Sequence, residues 1–378
     1  MKIGIITTFR QANFGSVLQA FSLQFVLEKM GYDAKLIDYK YPNFFHYKNG
    51  YPRKSFWVTK KYKLRLFLGK IGLKPKNKML LMNDFISQNI ICTKTYSSKR
   101  QLQSNPPLFD VYISGSDQIW NPNTMFGDMS YFLDFAPEAA KKIAYSSSFS
   151  CDKIPKKYQQ EYQYFLKQYQ SIFVREKNGK QIAEALTGRT DIEVVLDPTL
   201  LIDKNEWSKY ADKSSLKNIP REYILFYMLA YTYNPQNKMA EILNKLQNQY
   251  KIPILSLSEK PADFNGEFIQ IEQTQSVGIY EFLDLFRNAR IVVTSSFHGT
   301  AYALNFGKPL LALSDGEKKS DDRISTIMEK MEVNKQLINT NTIIDDSIDP
   351  FYDVEREQVV LENERKRCLC LLKESIEL

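Results

Sequence analysis

What most constrains this chain is a pattern that runs through it twice: a short apolar strand, a loop of small and polar residues, a helix, and another strand. Lys2 to Thr8 alternates as a first strand, and Ser16 to Met30 carries Val17, Leu18, Phe21, Phe25 and Leu27 near helical spacing. Gly31 supplies a common helix stop, and Ala34 to Tyr39 reads as the next strand. A β-loop-α-β order builds parallel sheet, because parallel neighbours need a crossover rather than a hairpin. Further strands are predicted at Val111–Ser114, Ile143–Ser146, Ser171–Val174 and Ile192–Leu196.

At Asp197-Pro198-Thr199 the pattern restarts, since proline biases its predecessor away from the helical region. Strands at Tyr223–Tyr227, Ile252–Leu257, Ile291–Thr294 and Leu310–Leu313 then alternate with helices over 237–249, 279–288 and 301–306. A chain of 378 residues exceeds what one core usually organises. The expectation is an α/β protein of two Rossmann-like domains facing a cleft, residues 1–200 and 201–350. Segment 351–378 is then a charged helix crossing back to the first domain. Open α/β sheets bind ligands beyond the carboxyl ends of their strands, so the loops there should hold the chemistry.

Composition narrows the class. No apolar run is long enough to span a bilayer, and the opening residues read as a strand broken by Arg10 rather than as a signal peptide. Cys92, Cys151, Cys368 and Cys370 have neither metal-site spacing nor the density of a disulfide scaffold, which implies reduced thiols and a cytoplasmic location. The net charge of +8 is local: Tyr41 to Asn83 holds eleven Lys and Arg and no acid. Nucleic acid is not an expected partner, because no recognition module accompanies that charge.

Four loops carry candidate chemistry. In the first, Asn13, Gly15 and Ser16 sit where a strand hands over to a helix, able to hold an anion or a sugar hydroxyl, or simply to cap the helix. Neither GxGxxG nor a Walker lysine is present. The second, Ser114 to Pro122, offers Ser116, Asp117 and Asn121 to hydroxyls and Trp120 to the face of a sugar; the competing reading makes Trp120 core and Asp117 a cap. In the third, Arg175 ends a strand beside Glu176, placed to grip a carboxylate or phosphate through two parallel bonds, or to form a structural ion pair.

The fourth loop is the sharpest. His298, one of only two histidines, lies among Ser295, Ser296, Gly299 and Thr300 at a strand-to-helix junction, where amides favour an oxyanion and an imidazole can move a proton. The other, His46, reads as structural. Lys308 and Arg323 are cations that can complete an anion pocket or face solvent.

In order, Asn13-Phe14-Gly15-Ser16-Val17-Leu18-Gln19-Ala20, Ser114 to Pro122, Ala144-Tyr145-Ser146-Ser147-Ser148-Phe149, Val174-Arg175-Glu176, Leu196-Asp197-Pro198-Thr199, Thr294 to Thr300 and Arg323-Ile324 resemble the polysaccharide pyruvyl transferase family. The resemblance implies a fold like the two-domain B-type glycosyltransferases, phosphoenolpyruvate as donor, no metal or other cofactor, and a pyruvate ketal formed on two sugar hydroxyls. A hexose such as galactose in a surface or capsular polysaccharide precursor is the implied acceptor, lipid-linked oligosaccharides included. It puts His298 and Arg175 in the donor pocket and Asp117 and Asn13 on the acceptor side, with Ser146 among the binding residues. Some relatives place arginine and leucine before the histidine; here Ser296 and Phe297 stand there, which leaves Arg323, Lys308 and Arg175 as the candidates to supply that charge. Two alternatives stay open: a nucleotide-sugar glycosyltransferase of similar fold, and a non-catalytic carbohydrate-binding protein.

Residues 56–71 have Trp57, Leu64, Leu68 and Ile71 broadly on one side of a helical projection and lysines elsewhere. This suits peripheral contact with the inner face of an anionic membrane, or a solvated insertion packed on the first domain.

Overall fold

Among the described residues of the computed structural model, all strand pairings are parallel. It describes residues 1–52, 66–69, 71, 77–229, 233–315, 322–345 and 348–378; most of the 56–71 segment lies outside them. The chain divides into two compact units, one of residues 1–201 with 365–378, the other of residues 202–364.

Unit 1 contains β1 (Lys2–Ile6), β2 (Asp33–Leu36), β3 (Val111–Ser114), β4 (Lys141–Ser147), β5 (Ser171–Val174) and β6 (Glu193–Val194), in spatial order β2-β1-β3-β4-β5-β6. Helix α1 (Phe14–Lys29) follows β1, α2 (Phe44–Lys48) follows β2, and α3 (Lys177–Thr187) follows β5. A short helix, α4 (Pro198–Leu201), packs on α1. Apolar residues run along both faces of the central strands because helices cover both; all four residues of β3 are buried.

Unit 2 contains β7 (Ile224–Tyr227), β8 (Ile254–Ser256), β9 (Phe268–Gln270), β10 (Ile291–Thr294), β11 (Leu310–Ser314) and β12 (Leu337–Asn339), in spatial order β12-β11-β10-β7-β8-β9. Helices α5 (Ile279–Asn288), α6 (Phe297–Asn305) and α7 (Arg323–Lys330) connect its second half. The core gathers Ile224, Phe226, Leu243, Ile254, Val293 and Leu311 between sheet and helices. The final helix, α8 (Val354–Glu377), begins in unit 2 and continues into unit 1 from Arg365.

Both sheets reverse their winding once, unit 1 between β1 and β3 and unit 2 between β7 and β10. Loops leaving such neighbours diverge, opening a crevice at the carboxyl edge. The loop after β1 leads into α1, whose first turn holds Ser16; the loop after β3 holds Asp117, and the loop after β10 leads to His298.

Candidate functional site

In unit 1 the side chains at the switch point form one hydrogen-bonded network. Asn13 caps α1 by accepting from the Gly15 and Ser16 amides, at 2.9 and 3.4 Å. The cap presents Ser16, whose hydroxyl donates to Asp117 Oδ2 at 2.7 Å. Thr8 adds a longer bond to the same oxygen, while Gln19 ties the β1 loop together through Thr7 Oγ1 and the Thr8 and Ser16 carbonyls. Gly115 lets the loop pass close to β1, since a Cβ there would sit 3.2 Å from that of Thr7.

On the other side of Asp117 lies Arg175, at the end of β5. Its Nη2 is 3.7 Å from Asp117 Oδ1, and its Nη1 donates to Asp197 Oδ2 at 2.9 Å. Asp197 also accepts from the Ser116 hydroxyl at 2.8 Å and from the Thr199 amide and hydroxyl. Ser146 lies 3.3 Å from Ser116. One guanidinium thus stands between two carboxylates. Asp197 is buried, whereas the Asp117 side chain keeps 15% of its surface exposed and is the carboxylate that a ligand can reach.

The backbone here is strained. Asp117, Ser146 and Ser150 have φ of 76°, 57° and 44°, a region costly for residues with a Cβ, and β4 shifts register against β5 between Ala144 and Ser147. Glu176 stabilises the turn by accepting from the Ser148 hydroxyl and the Phe149 and Ser150 amides.

Several sequence expectations change. Trp120 is no sugar platform: its ring is fully buried, stacked on Phe132 at 5.1 Å and beside Phe149 and Tyr169, with Nε1 donating to the Tyr131 carbonyl. Asn121 caps the turn at Pro122 and donates to the Ser150 carbonyl, so its amide holds loops rather than a ligand. Arg175 is not a free fork for an incoming anion, because it is buried and bonded to Asp197. Glu176 binds the β4 loop, accepting from the Ser148 hydroxyl and the Phe149 amide. Asn13 and Gly15 act as helix cap and capped amide.

In unit 2 the junction after β10 is anchored mainly by backbone partners. Ser295 Oγ accepts from the Leu229 amide and donates to its carbonyl, both at 2.9 Å, which ties the loops leaving β7 and β10. Ser296 caps α6 through the Gly299 amide, and Thr300 donates to the Ser296 carbonyl. Gly299 is required for packing, since a Cβ there would collide with the Thr294 hydroxyl. These hydroxyls build the turn and are not the donor ligands that the sequence suggested. What the turn presents is His298, in the first turn of α6 and 9% exposed.

Arg323 opens α7 on the carboxyl side of β11, the edge to which His298 also belongs. Lys308 does not join them. It enters β11 at the amino end, where burial, then Lys204 and Arg287, push its pKa down.

His46 is buried, its Nδ1 accepting from the Asn43 amide and its Nε2 lying 3.5 Å from Asp128 Oδ2. Burial drives its pKa down to about 4, with Asp128 opposing and Lys99 assisting. Asp197 and Thr8 were missed as site residues: Asp197-Pro198 reads as a strand terminator, and only the fold brings it beside Ser116. Among the described residues, no group of three or more His, Cys, Asp or Glu could hold a metal ion, and no helix is long and apolar enough to cross a membrane.

A family model described as polysaccharide pyruvyl transferase matches residues 13–316. No curated protein matches the chain in sequence. Among solved structures, the MnaA–UDP co-structure from S. aureus aligns at TM-score 0.50 and 12% identity over 97% of this chain and 96% of that one, which supports the shared fold. The UDP-GlcNAc 2-epimerase from Neisseria meningitidis bound to UDP-GlcNAc gives 0.48 and 11% over 100% and 99%. The E. coli heptosyltransferase WaaC with ADP-2-deoxy-2-fluoro heptose gives 0.40 and 10% over 96% and 100%.

Proposed function

The chain belongs to the polysaccharide pyruvyl transferase family, and from that premise we propose that it moves the enolpyruvyl unit of phosphoenolpyruvate onto two hydroxyls of a sugar, releasing phosphate. The observation that carries this reading is the Ser16–Asp117–Arg175–Asp197 network, which holds one reachable carboxylate at a switch point.

A proton is added to the methylene carbon, and C2 becomes cationic. The first sugar hydroxyl forms a C–O bond there; the C2–O bond to phosphate breaks; the second hydroxyl attacks C2 and closes the ketal. Of the two hydroxyl protons, one balances the new methyl group and the other leaves with phosphate. His298 is the acid that delivers the proton to carbon, Asp117 accepts protons from the acceptor, and Arg323 with the positive end of α6 offsets the donor's charge. Arg175 orients Asp117 and is itself held by Asp197.

The test is phosphate release from phosphoenolpyruvate with galactose-, mannose- and glucosamine-terminated acceptors, with mass analysis of the products. A gain of one pyruvate ketal on an acceptor is expected. Nucleotide release from a sugar nucleotide with no phosphate from phosphoenolpyruvate would replace this reading by glycosyl transfer, and saturable sugar binding with neither would make the protein a binding module.

A further inference from the structure

Two consecutive residues at the end of β5 reach Asp117 by different routes. Arg175 meets its side chain, while Glu176 reaches its backbone through the loop that follows β4. Successive side chains leaving a strand point to opposite faces, so the two residues cannot share one task. Glu176 stands at the N-cap of α3, yet its side chain makes no capping bond to that helix. It turns instead to the β4 loop, where Oε1 accepts from the Ser148 hydroxyl at 3.1 Å and from the Phe149 and Ser150 amides at 2.8 and 3.2 Å. Glu176 is buried, and three donors on one carboxylate oxygen offset the cost of taking it out of water.

The loop held in this way is joined to Asp117. The Ser148 amide donates to the Asp117 carbonyl at 3.1 Å, the Trp120 amide donates to the Ser148 carbonyl at 3.2 Å, and Asp117 and Ser147 form an isolated parallel bridge. Asp117 has a φ of 76°, a conformation that a residue with a Cβ keeps only where surrounding bonds hold it. Released from them, Asp117 would relax and swing its carboxylate away from Ser16 and Arg175. We propose that Glu176 is a positioning residue: by clamping residues 148–150 it keeps Asp117 in the left-handed conformation that aims its carboxylate at the acceptor. The consequence for turnover rests on the function proposed above, whereas the linkage itself lies in the backbone and is measurable without substrates. Gly179 belongs to the same clamp. A Cβ there would stand 2.9 Å from Glu176 Oε1, so the glycine inside α3 leaves the carboxylate its place. The Phe149 ring packs beside Trp120 at 5.2 Å, which keeps the loop folded when the clamp is removed.

The experiment reads amide hydrogen exchange at Ser148, and then acceptor-dependent phosphate release, in Glu176→Ala, Glu176→Gln and Gly179→Ala. Exchange at that amide reports its bond to the Asp117 carbonyl directly. Glu176→Ala should speed it at least about tenfold, and Glu176→Gln, which keeps an acceptor oxygen, should stay within about threefold of the unaltered chain. In turnover, Glu176→Ala should lower kcat about thirtyfold with the KM for phosphoenolpyruvate within about twofold, and Glu176→Gln should recover most of that loss. A merely structural role would reduce the amount of folded enzyme and leave kcat per folded molecule unchanged. Unaltered Ser148 exchange in Glu176→Ala, or equal kcat losses in the alanine and glutamine variants, overturns the proposal. If Glu176→Ala does not fold, Gly179→Ala carries the test: Ser148 exchange about threefold faster is expected as the new Cβ displaces the carboxylate, and unaltered exchange overturns the proposal. Absence of phosphate release from the unaltered chain would strike the proposed function instead, and Ser148 exchange would still decide the role of Glu176.

Discussion

The carboxyl edges of the two sheets are built on the same plan and stabilised in different ways. At the unit 1 edge, charged side chains bind one another: Arg175 lies between Asp117 and Asp197, with Ser16 and Ser116 donating to the carboxylates. Non-glycine residues there take left-handed conformations. At the unit 2 edge, hydroxyls bind backbone, and the left-handed non-glycine residues of that unit, Asn218, Lys251 and Glu332, lie elsewhere among the described residues. A charge network keeps its strength only where it is partly shielded from water, and it holds ionisable groups in fixed states. A backbone-bonded turn fixes position without setting charge. In the function proposed above, the first edge takes the role of controlling acceptor hydroxyls and the second that of delivering one proton.

The largest effect follows from that division. His298→Asn should lower kcat for phosphate release about 10³-fold, equivalent to roughly 4 kcal/mol of barrier, with little change in unfolding midpoint because the turn is held by Ser295 and Ser296. Near-normal turnover would remove the acid from the second edge and break the comparison.

Next in size is Arg175→Lys. An ammonium cannot span both carboxylates with the geometry of a guanidinium, so acceptor-dependent turnover should fall about 10²-fold, with the KM for phosphoenolpyruvate within about twofold. A tenfold rise in the donor KM would instead restore Arg175 as the donor clamp. Asp117→Asn should resemble Arg175→Lys in kinetics, since both act through the same carboxylate.

The contrast between these residues shows what the sequence could reveal. Strands such as Val111–Ser114, Ser171–Val174 and Ile291–Thr294 are legible because strands covered on both faces are continuously apolar. β9 and β12 escape notice: they are three residues each, at sheet edges, and too short to leave an apolar run, with only Ile338 buried among their six side chains. At the site, residue types announced a loop with chemistry, but partners did not. Nothing local distinguishes Ser16, which reaches Asp117, from Ser296, which caps its own helix. Trp120 misled because an aromatic beside Asp and Asn looks the same on paper whether its ring faces a sugar or Phe132.

A smaller effect concerns the support beneath the first edge. His46 takes up a proton near pH 6.5 when unfolded but only near pH 4 in the fold, where burial is the main cause and Asp128, Lys99 and the rings of Tyr41 and Phe45 surround it. Between those values the unfolded chain binds more protons, so its contribution is complete above about pH 6.5 and is lost as pH falls toward 4. From pH 7 to pH 5 the loss is about 2 kcal/mol. His46→Gln, compared with the unaltered chain in urea unfolding at both pH values, should show a shallower decline; parallel declines would separate this histidine from the acid sensitivity of unit 1.

The smallest expected effect is also the cleanest control on edge assignment. Lys308 precedes β11, whereas Arg323 follows it, so the two cations stand at opposite ends of one strand. Burial already disfavours the charge on Lys308, and Lys204 and Arg287 add to this. Lys308→Met should therefore leave kcat and both KM values within about twofold and the unfolding midpoint equal or higher. Arg323→Met, at the edge shared with His298, should raise the KM for phosphoenolpyruvate about tenfold or more. If Lys308→Met were the more damaging of the pair, the donor would have to bind at the amino end of the unit 2 sheet, and the assignment of His298 would fail with it.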